Sequence, residues 1–474
     1  MTPDRRRAGS RPRRPGQGRS RLTLADQPRQ AALEVLLAVL DDDAYANVML
    51  PAVLRRRQLS GRDAAFATAL TYGAIRWQGL WRAILAACVR RPLDDIEPGV
   101  LAVLILGTQQ LLDMRVPAHA AVDSSCALAR GFSTRRSGGS GPTAAGRAGF
   151  VNAVLRSVAE RDVSAWIDHL DLADDLSVRW SHPAWVVAGL GEALRAQGTG
   201  EELPALLASD NEPALPTLAA VPGRLDPAEL RAVEGLTAGR WSPWSAIMTH
   251  GTPEDSAYIA SGAARVQDEG SQLVVLALLR AAVLGPDDSW LDMCSGPGGK
   301  AALLAGEARS VGASCLAVEQ HEARASMVKD AVHGTGCQVL TADARLVPWG
   351  DRSFTRILVD APCSGLGALR RRPDARWRRS PADVPALAAR QRELLDVAIH
   401  AARSGGVICY ATCSPLVAET SAIVRAAVAE ADVDIIDAPS LLPEVPRCAV
   451  GPFVQLWPHR HGTDAMFLAL LRKH

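Results

Sequence analysis

Apolar positions along the chain keep two different rhythms. From Gln27 to about Glu160 they recur at helical spacing, as in Ala31, Val35, Leu36 and Val39, and again in Phe66, Leu70, Ile75 and Leu80. Residues three and four apart share one face of a helix, so the spacing predicts a run of amphipathic helices. Pro92, Pro98 and Pro117 interrupt it, and a Gly/Ser/Arg stretch from Gly131 to Gly146 predicts a flexible loop before Phe150 to Val158 resumes the pattern. In the final third the rhythm changes. Gln267 to Leu284 is apolar almost all round, which predicts a buried helix. Short strand-like runs follow: SWLDM, SCLAVE, QVLTAD, TRILVD and GVICYATC, with helical patterns between most of them. Alternating β and α elements predict a doubly wound parallel sheet, whose ligands bind beyond the carboxyl ends of its strands.

Between these regions, about Trp166 to Arg265, Pro and Gly are frequent. SHPAWVV (Ser181 to Val187) opens a helix, and NEPALPTLAAVPGR (Asn211 to Arg224) predicts a loop and a short strand. The expected division is therefore a basic tail (1–22), an all-α bundle (23–163), a small α+β connecting module (164–264) and an α/β domain (265–474).

A chain of 474 residues is too long for one ordinary domain, and 48% hydrophobic with 22% charged residues is globular, water-soluble material. Its longest apolar stretch, Leu273 to Leu284, is short and carries Arg280, so no membrane-spanning helix is expected. Nine cysteines, an odd number, without a signal peptide point to reduced thiols and a cytoplasmic protein. No CxxC pair or His/Cys cluster has zinc-ligand spacing, so no metal is expected. A net charge of +1 says nothing of partners, but arginine is concentrated in two places. Arg5, Arg6, Arg7, Arg13 and Arg14 lie in a tail too polar to order itself, which either solubilises or loosely grips phosphate. Arg370, Arg371, Arg372, Arg376, Arg378 and Arg379, with Trp377 among them, form either a solvated face or a contact for RNA phosphates.

Three stretches carry chemistry. In ILVDAPCSGLG (Ile357 to Gly367) an apolar run ends in Asp360 and breaks at Pro362, just before Cys363. In YATCS (Tyr410 to Ser414) a strand delivers Cys413 to the same sheet edge. A disulfide there is disfavoured in a reducing compartment and two cysteines alone hold a metal poorly, which leaves nucleophilic chemistry. In WLDMCSGPGGK (Trp290 to Lys300), Gly296, Gly298 and Gly299 let backbone approach a ligand at a helix N-terminus. The stretch fits the loose G-x-G-x-x-A dinucleotide pattern through Gly296, Gly298 and Ala301, with Glu319 placed for a ribose and Asp343 for an adenine amino group. The alternative for each acid is a helix cap or loop contact, with the ligand reading favoured, more so for Glu319 than for Asp343. Phosphate gripping of the P-loop kind is excluded, because Cys294 stands where its first glycine belongs.

These stretches also resemble a known family. LDMCSGPGGK looks like the S-adenosylmethionine loop of RNA cytosine-5 methyltransferases, and DAPCSGLG paired with YATCS looks like their two-cysteine site. RDAAFATALTYGAIRW (Arg62 to Trp77) and GFVNAVLR (Gly149 to Arg156) resemble the NusB-type RNA-binding bundle. Nearly the whole chain is thus similar to the bacterial ribosomal RNA cytosine-5 methyltransferase B type. The resemblance implies a Rossmann-like methyltransferase domain, S-adenosylmethionine as cofactor, RNA as partner (ribosomal before transfer RNA) and no obligate protein partner. Cofactor contacts are implied for Asp292, Cys294, Ser295, Gly296, Pro297, Gly298, Gly299, Lys300, Glu319, Asp343 and Asp360, and RNA contacts for Arg370, Arg371, Arg372, Arg376 and Arg378.

Cytosine C5 is too weak a nucleophile to take a methyl group unaided; a thiolate adding at C6 makes the ring an enamine that can. Asp360 would stabilise the charge developing at N3 and the exocyclic amine. Which cysteine attacks is not decided by the residues: DNA enzymes use a Pro-Cys like Pro362-Cys363, whereas the resemblance implies that Cys413 attacks and Cys363 helps release product. The chain departs from the family at Thr420, where Asn is usual after Glu419, and at Gly462 to Phe467, which reads GTDAMF. Two other classes fit less. A nucleotide-dependent oxidoreductase accounts only for the glycine loop, and a non-catalytic RNA-binding factor leaves Asp360, Cys363 and Cys413 unexplained. Tyr72, Trp77 and Trp81 are expected in the bundle core rather than stacked on bases, and His461 and Asp464 in a loop before a terminal strand.

Overall fold

The computed structural model describes residues 26–41, 44–131, 143–349 and 354–474. The basic tail and most of the Gly/Ser/Arg stretch lie outside the described residues. The bundle consists of α1 (Gln27–Asp41), α2 (Ala46–Arg56), α3 (Gly61–Arg76), α4 (Gln78–Cys88), α5 (Pro98–Leu112), α6 (Ala118–Gly131) and α7 (Ala144–Val158). α5 is its axis: Val100 through Gln110 are all buried, which an apolar helix requires of its surroundings. Trp81 is buried against it, and its indole N–H donates to Gln109 Oε1 at 2.9 Å. That bond satisfies the polar end of a core aromatic.

The connecting segment holds the helix Ala184–Arg195 and an antiparallel sheet of β1 (Thr217–Ala220), β2 (Leu236–Ala238), β3 (Ser245–Met248) and β4 (Ala264–Val266), in the order β2-β3-β1-β4. The helix Glu269–Arg280, buried over most of its surface, then leads into the large sheet.

That sheet contains β5 (Ser289–Asp292), β6 (Ser314–Glu319), β7 (Gln338–Thr341), β8 (Phe354–Asp360), β9 (Ala402–Thr412), β10 (Val433–Ile436), β11 (Ala449–Val450), β12 (Phe453–Gln455) and β13 (Phe467–Lys473). Its order is β11-β12-β13-β9-β8-β5-β6-β7, with β10 also on β13. β7, β6, β5, β8 and β9 are parallel, and helices cover both faces. The expectation of a parallel sheet holds for this part only. β13 runs antiparallel to β9 and is followed outward by antiparallel hairpin partners, so the sheet is mixed. Only the β–α–β crossovers force parallel pairing, and the last strands are joined without full crossovers.

Register places the site. Asp360 at the end of β8 pairs with Ala411 of β9, and Asp292 at the end of β5 pairs with Leu358 of β8. The loops after β5, β8 and β9 therefore leave the sheet at one edge. Along β8 every residue from Phe354 to Val359 is buried and Asp360 is the first to emerge. No helix among the described residues is long and apolar enough to cross a membrane.

Candidate active site

The two loops beyond β8 and β9 bring their cysteines together: Cys363 Sγ and Cys413 Sγ are 3.4 Å apart, and neither is disulfide-bonded. A thiol beside a thiolate shares its proton, so the pair titrates as a unit. The hydrogen bond from Cys363 lowers the Cys413 thiol below its ordinary value, against the opposing effect of burial. The same bond, with burial, holds Cys363 well above its ordinary value. One side chain is thus biased to the thiolate and the other to the thiol.

Asp360 is bound by Lys300, whose Nζ lies 2.8 Å from Oδ2. Burial works against the Lys300 cation, but Asp360 raises the group above its ordinary value and keeps it charged. Lys300 also acts on Cys413, where its charge favours the thiolate.

Behind the cysteines lies Glu419, completely buried. Its Oε1 accepts from Ser364 N at 2.8 Å and Gln391 Nε2 at 3.0 Å, and its Oε2 from the hydroxyls of Ser364 and Ser414, each at 2.6 Å. Ser364 and Ser414 are the residues directly after the two cysteines. One carboxyl group therefore ties both cysteine loops together, and Gln391 adds a bond to the Pro362 carbonyl at 3.0 Å. Sequence reasoning gave Glu419 no role. A glutamate four residues past a loop proline is exposed in most proteins, and only the fold shows it buried.

A cavity of about 300 Å³ opens on this edge, lined from one end by Cys294, Gly296, Glu319 and Asp343, and in the middle by Asp360, Cys363 and Cys413. At the glycine end, a Cβ on Gly296 would meet Glu319 Oε2 at 2.1 Å, so only glycine leaves room for that carboxyl. Gly298, at φ +110°, lies against the helix Glu322–Val332 instead: its Cβ would meet Ala331 Cβ at 2.6 Å. Ser295 braces the loop, donating to the Asp292 carbonyl at 3.0 Å and accepting from Val318 N at 3.0 Å. Asp292 is buried, and burial together with neighbouring Asp360 pushes its carboxyl up to about 7. Its Oδ2 has no hydrogen-bond partner among the described residues.

Comparison with known proteins identifies this arrangement. A family model described as 16S rRNA methyltransferase RsmB/F matches residues 281–472, and the NusB family model matches residues 26–160. Ribosomal RNA small subunit methyltransferase B of Pseudomonas syringae is 34% identical over 84% of this chain and 86% of its own length. The chain belongs to the RsmB/F methyltransferase family. A Mycobacterium tuberculosis chain named as a methyltransferase, with no substrate in the name, is 49% identical over 94% of this chain and 97% of its own. Among solved structures, that of PH0851 superposes over 95% of this chain and all of its own (TM-score 0.75, 20% identity). A methyltransferase homologue from Pyrococcus horikoshii covers 63% of this chain and 98% of its own (TM-score 0.52, 18% identity).

As an RsmB/F protein the chain is an S-adenosylmethionine-dependent RNA methyltransferase. The residues at the glycine end fit that cofactor. Glu319, 5% exposed, takes His321 N on Oε1 at 2.9 Å and lines the cavity, with Oε2 filling the space beside Gly296 at 3.7 Å from Arg324. Asp292, expected to contact the cofactor, is instead buried under the loop and does not line the cavity. Asp343 lines the cavity as expected, but both its oxygens are already engaged by Arg345, whose hydrogen bonds hold the carboxyl below its usual value. Cys294 lines the cavity with its thiol pushed up by burial, then by Asp292, which suits packing rather than reaction. Pro297, Gly298 and Gly299 shape the turn into the helix Gly299–Val311 and do not line the cavity. Lys300 does not cap that loop; its side chain runs to Asp360.

The arginine run is placed differently from its reading as an RNA contact. Arg376 is fully buried, donating to the carbonyl of Ser181 at 3.1 Å, Asn211 Oδ1 at 2.8 Å and the Asp210 carbonyl at 3.3 Å. Burial pushes its guanidinium down to about 9. Arg371 bridges Asp268 at 2.8 Å and Asp464 at 3.3 Å, and Arg370 donates to the Gly462 carbonyl at 2.8 Å. Trp377 Nε1 donates to the Ile75 carbonyl at 3.0 Å, reaching into the helical bundle. Arg376 and Trp377 fasten the catalytic domain to the segments before it, and Arg370 and Arg371 add bonds to the Glu212 and Leu215 carbonyls. A charge run looks the same in sequence whether it faces solvent or a neighbouring domain. Arg372, Arg378 and Arg379 do line the cavity. Asp464 lies in the loop before β13 as expected, but His461 ends the short helix Pro458–His461; both are buried, and Asp464 is pushed up to about 7 by burial and by Asp268.

Proposed function

We propose that this enzyme methylates C5 of a cytosine in small-subunit ribosomal RNA, in the cytoplasm, through a transient bond between Cys413 and C6 of the base. The observation that carries the reading is the 3.4 Å pair of unequal thiols beside the Asp360–Lys300 ion pair. Cysteine is the best side-chain nucleophile only as thiolate, and an ordinary thiol near pKa ~8.5 is mostly protonated at neutral pH. Cys413 is the member of the pair whose surroundings favour the thiolate.

Addition of that thiolate at C6 moves electron density onto C5. Asp360, held in place by Lys300, accepts from the exocyclic amine and so orients the ring, while the Lys300 ammonium beside it offsets the negative charge that addition builds toward N3. Bound at the glycine end, S-adenosylmethionine supplies an electrophilic methyl group. The adduct is resolved when the C5 proton is removed and Cys413 is expelled. Cys363 is suited to that stage: once Cys413 is bound to carbon, the interaction that kept Cys363 protonated is weakened. The reacting base must be unpaired or flipped out, since C6 is shielded within a stack.

Bisulfite sequencing of ribosomal and transfer RNA from a strain lacking the enzyme tests the reading. Loss of protection at one cytosine of small-subunit ribosomal RNA, restored by the wild-type chain, is the expected result. Unchanged ribosomal RNA, or loss confined to transfer RNA, would contradict it.

A further inference from the structure

The cavity has lining residues that the chemistry above leaves unused. Besides the cysteines it is lined by Arg372, Arg378 and Arg379 of the catalytic domain and by Tyr45, which belongs to the helical bundle and lies more than 300 positions away in sequence. Tyr45 is the residue before α2, and its carbonyl accepts from Val48 N and Met49 N at 3.0 and 2.9 Å, fixing the turn that presents the ring. Arg378 holds it from the other domain. Its guanidinium lies 4.0 Å from the Tyr45 ring centroid, donates to the Ala44 carbonyl, and is itself held by Asp374 at 3.0 Å. Arg372 lies 5.6 Å from the same ring. Tyr45 nonetheless remains 44% exposed, an aromatic surface that solvent reaches.

An aromatic ring braced by a guanidinium, exposed at the rim of a cavity that ends in a nucleophile, is suited to stacking a planar ligand. We propose that Tyr45 is a stacking platform for an unpaired nucleobase of the RNA substrate, so that the bundle completes the substrate-binding half of the catalytic cavity. The neighbouring arginines supply the charge that the flanking phosphates need. A protein side chain would gain from the same ring, but the cavity that Tyr45 shares with Cys413, Asp360 and Glu319 is lined by Arg372, Arg378 and Arg379, the charge a nucleotide needs. The proposal rests on RNA being the substrate and names the residue that orders its approach.

The test uses the full chain and unmodified small-subunit ribosomal RNA made by transcription, with binding rather than methylation as the readout. Stacking is worth roughly 1–3 kcal/mol per base, so Tyr45→Ala is expected to weaken RNA binding roughly 5- to 150-fold. Tyr45→Phe, which keeps the aromatic face, is expected to restore it. Tyr45→Leu, which keeps apolar bulk without that face, should behave like Tyr45→Ala. Because the loss is not electrostatic, the dependence of binding on salt keeps its slope. S-adenosylmethionine binding should match the wild type in all three variants, each compared at a temperature where it is folded. Wild-type RNA affinity in Tyr45→Ala, or a loss that Tyr45→Phe fails to restore, would overturn the proposal. If the cytosine reading were wrong instead, the wild-type chain would bind this RNA without methylating it, whatever Tyr45 does.

Discussion

Cys363 Sγ lies 3.4 Å from Cys413 Sγ, close enough to share a proton and unbonded. The contact couples the two cysteines before any substrate arrives, with the Lys300 charge favouring the thiolate on Cys413 and Glu419 disfavouring it on Cys363. It also ties the ionisation of the attacking group to a neighbour that the attack itself does not consume.

This inequality has a pH signature. The attacking form is the thiolate, so single-turnover adduct formation should rise with pH to a plateau. Because Cys363 lowers the Cys413 thiol, the wild-type rise should lie below the ordinary thiol value of ~8.5. Cys363→Ala removes the donor and should move the rise to higher pH. Lys300→Met removes the nearby cation and should move it the same way. Rate profiles from pH 5.5 to 9.5 check this; coincident profiles for wild type and Cys363→Ala would show that the thiols are independent.

Glu419 should act on rate through both cysteine loops at once. Glu419→Ala removes at once the acceptor of Ser364 N, Gln391 Nε2 and the Ser364 and Ser414 hydroxyls, leaving buried donors unpaired and both cysteine loops untied. A buried donor left unpaired costs roughly 1–3 kcal/mol. We expect at least roughly a tenfold fall in kcat, with S-adenosylmethionine binding unchanged because Glu419 does not line the cavity. Steady-state rates with isothermal titration of the cofactor separate the two effects.

Arg376 should matter for folding rather than for RNA. Arg376→Met strands the Asn211 and Asp210 acceptors in a buried junction, and breaking such a charged network costs on the order of 3–5 kcal/mol. A fall of several degrees in thermal midpoint is expected, with the salt slope of RNA binding unchanged in the folded fraction. A phosphate contact would instead lower that slope by about one.

The parallel core of the catalytic domain was legible because strands covered on both faces are short, nearly continuous apolar runs, of which TRILVD is the clearest. The acids and cysteines were legible for the same reason: a polar residue ending such a run stands at the sheet edge. The antiparallel strands beyond β9 were only partly visible, since Ala449–Val450 and Phe453–Gln455 are too short to show a period. Glu419, Arg376 and Tyr45 were not legible in their roles. Each owes its place to partners brought from distant segments: Ser364 to Glu419, Asn211 to Arg376, and Arg378 to Tyr45. Local pattern carries burial along one element, and it carries nothing about which element lies opposite.

The central claim is the division of labour between Cys413 and Cys363, and trapping the RNA adduct tests it most directly. Each cysteine is replaced by serine, the chain is incubated with RNA and S-adenosylmethionine, and covalent complex is measured on a denaturing gel. Cys363→Ser should accumulate a complex that the wild type resolves, and Cys413→Ser should form none. Accumulation by Cys413→Ser with none from Cys363→Ser would contradict the account.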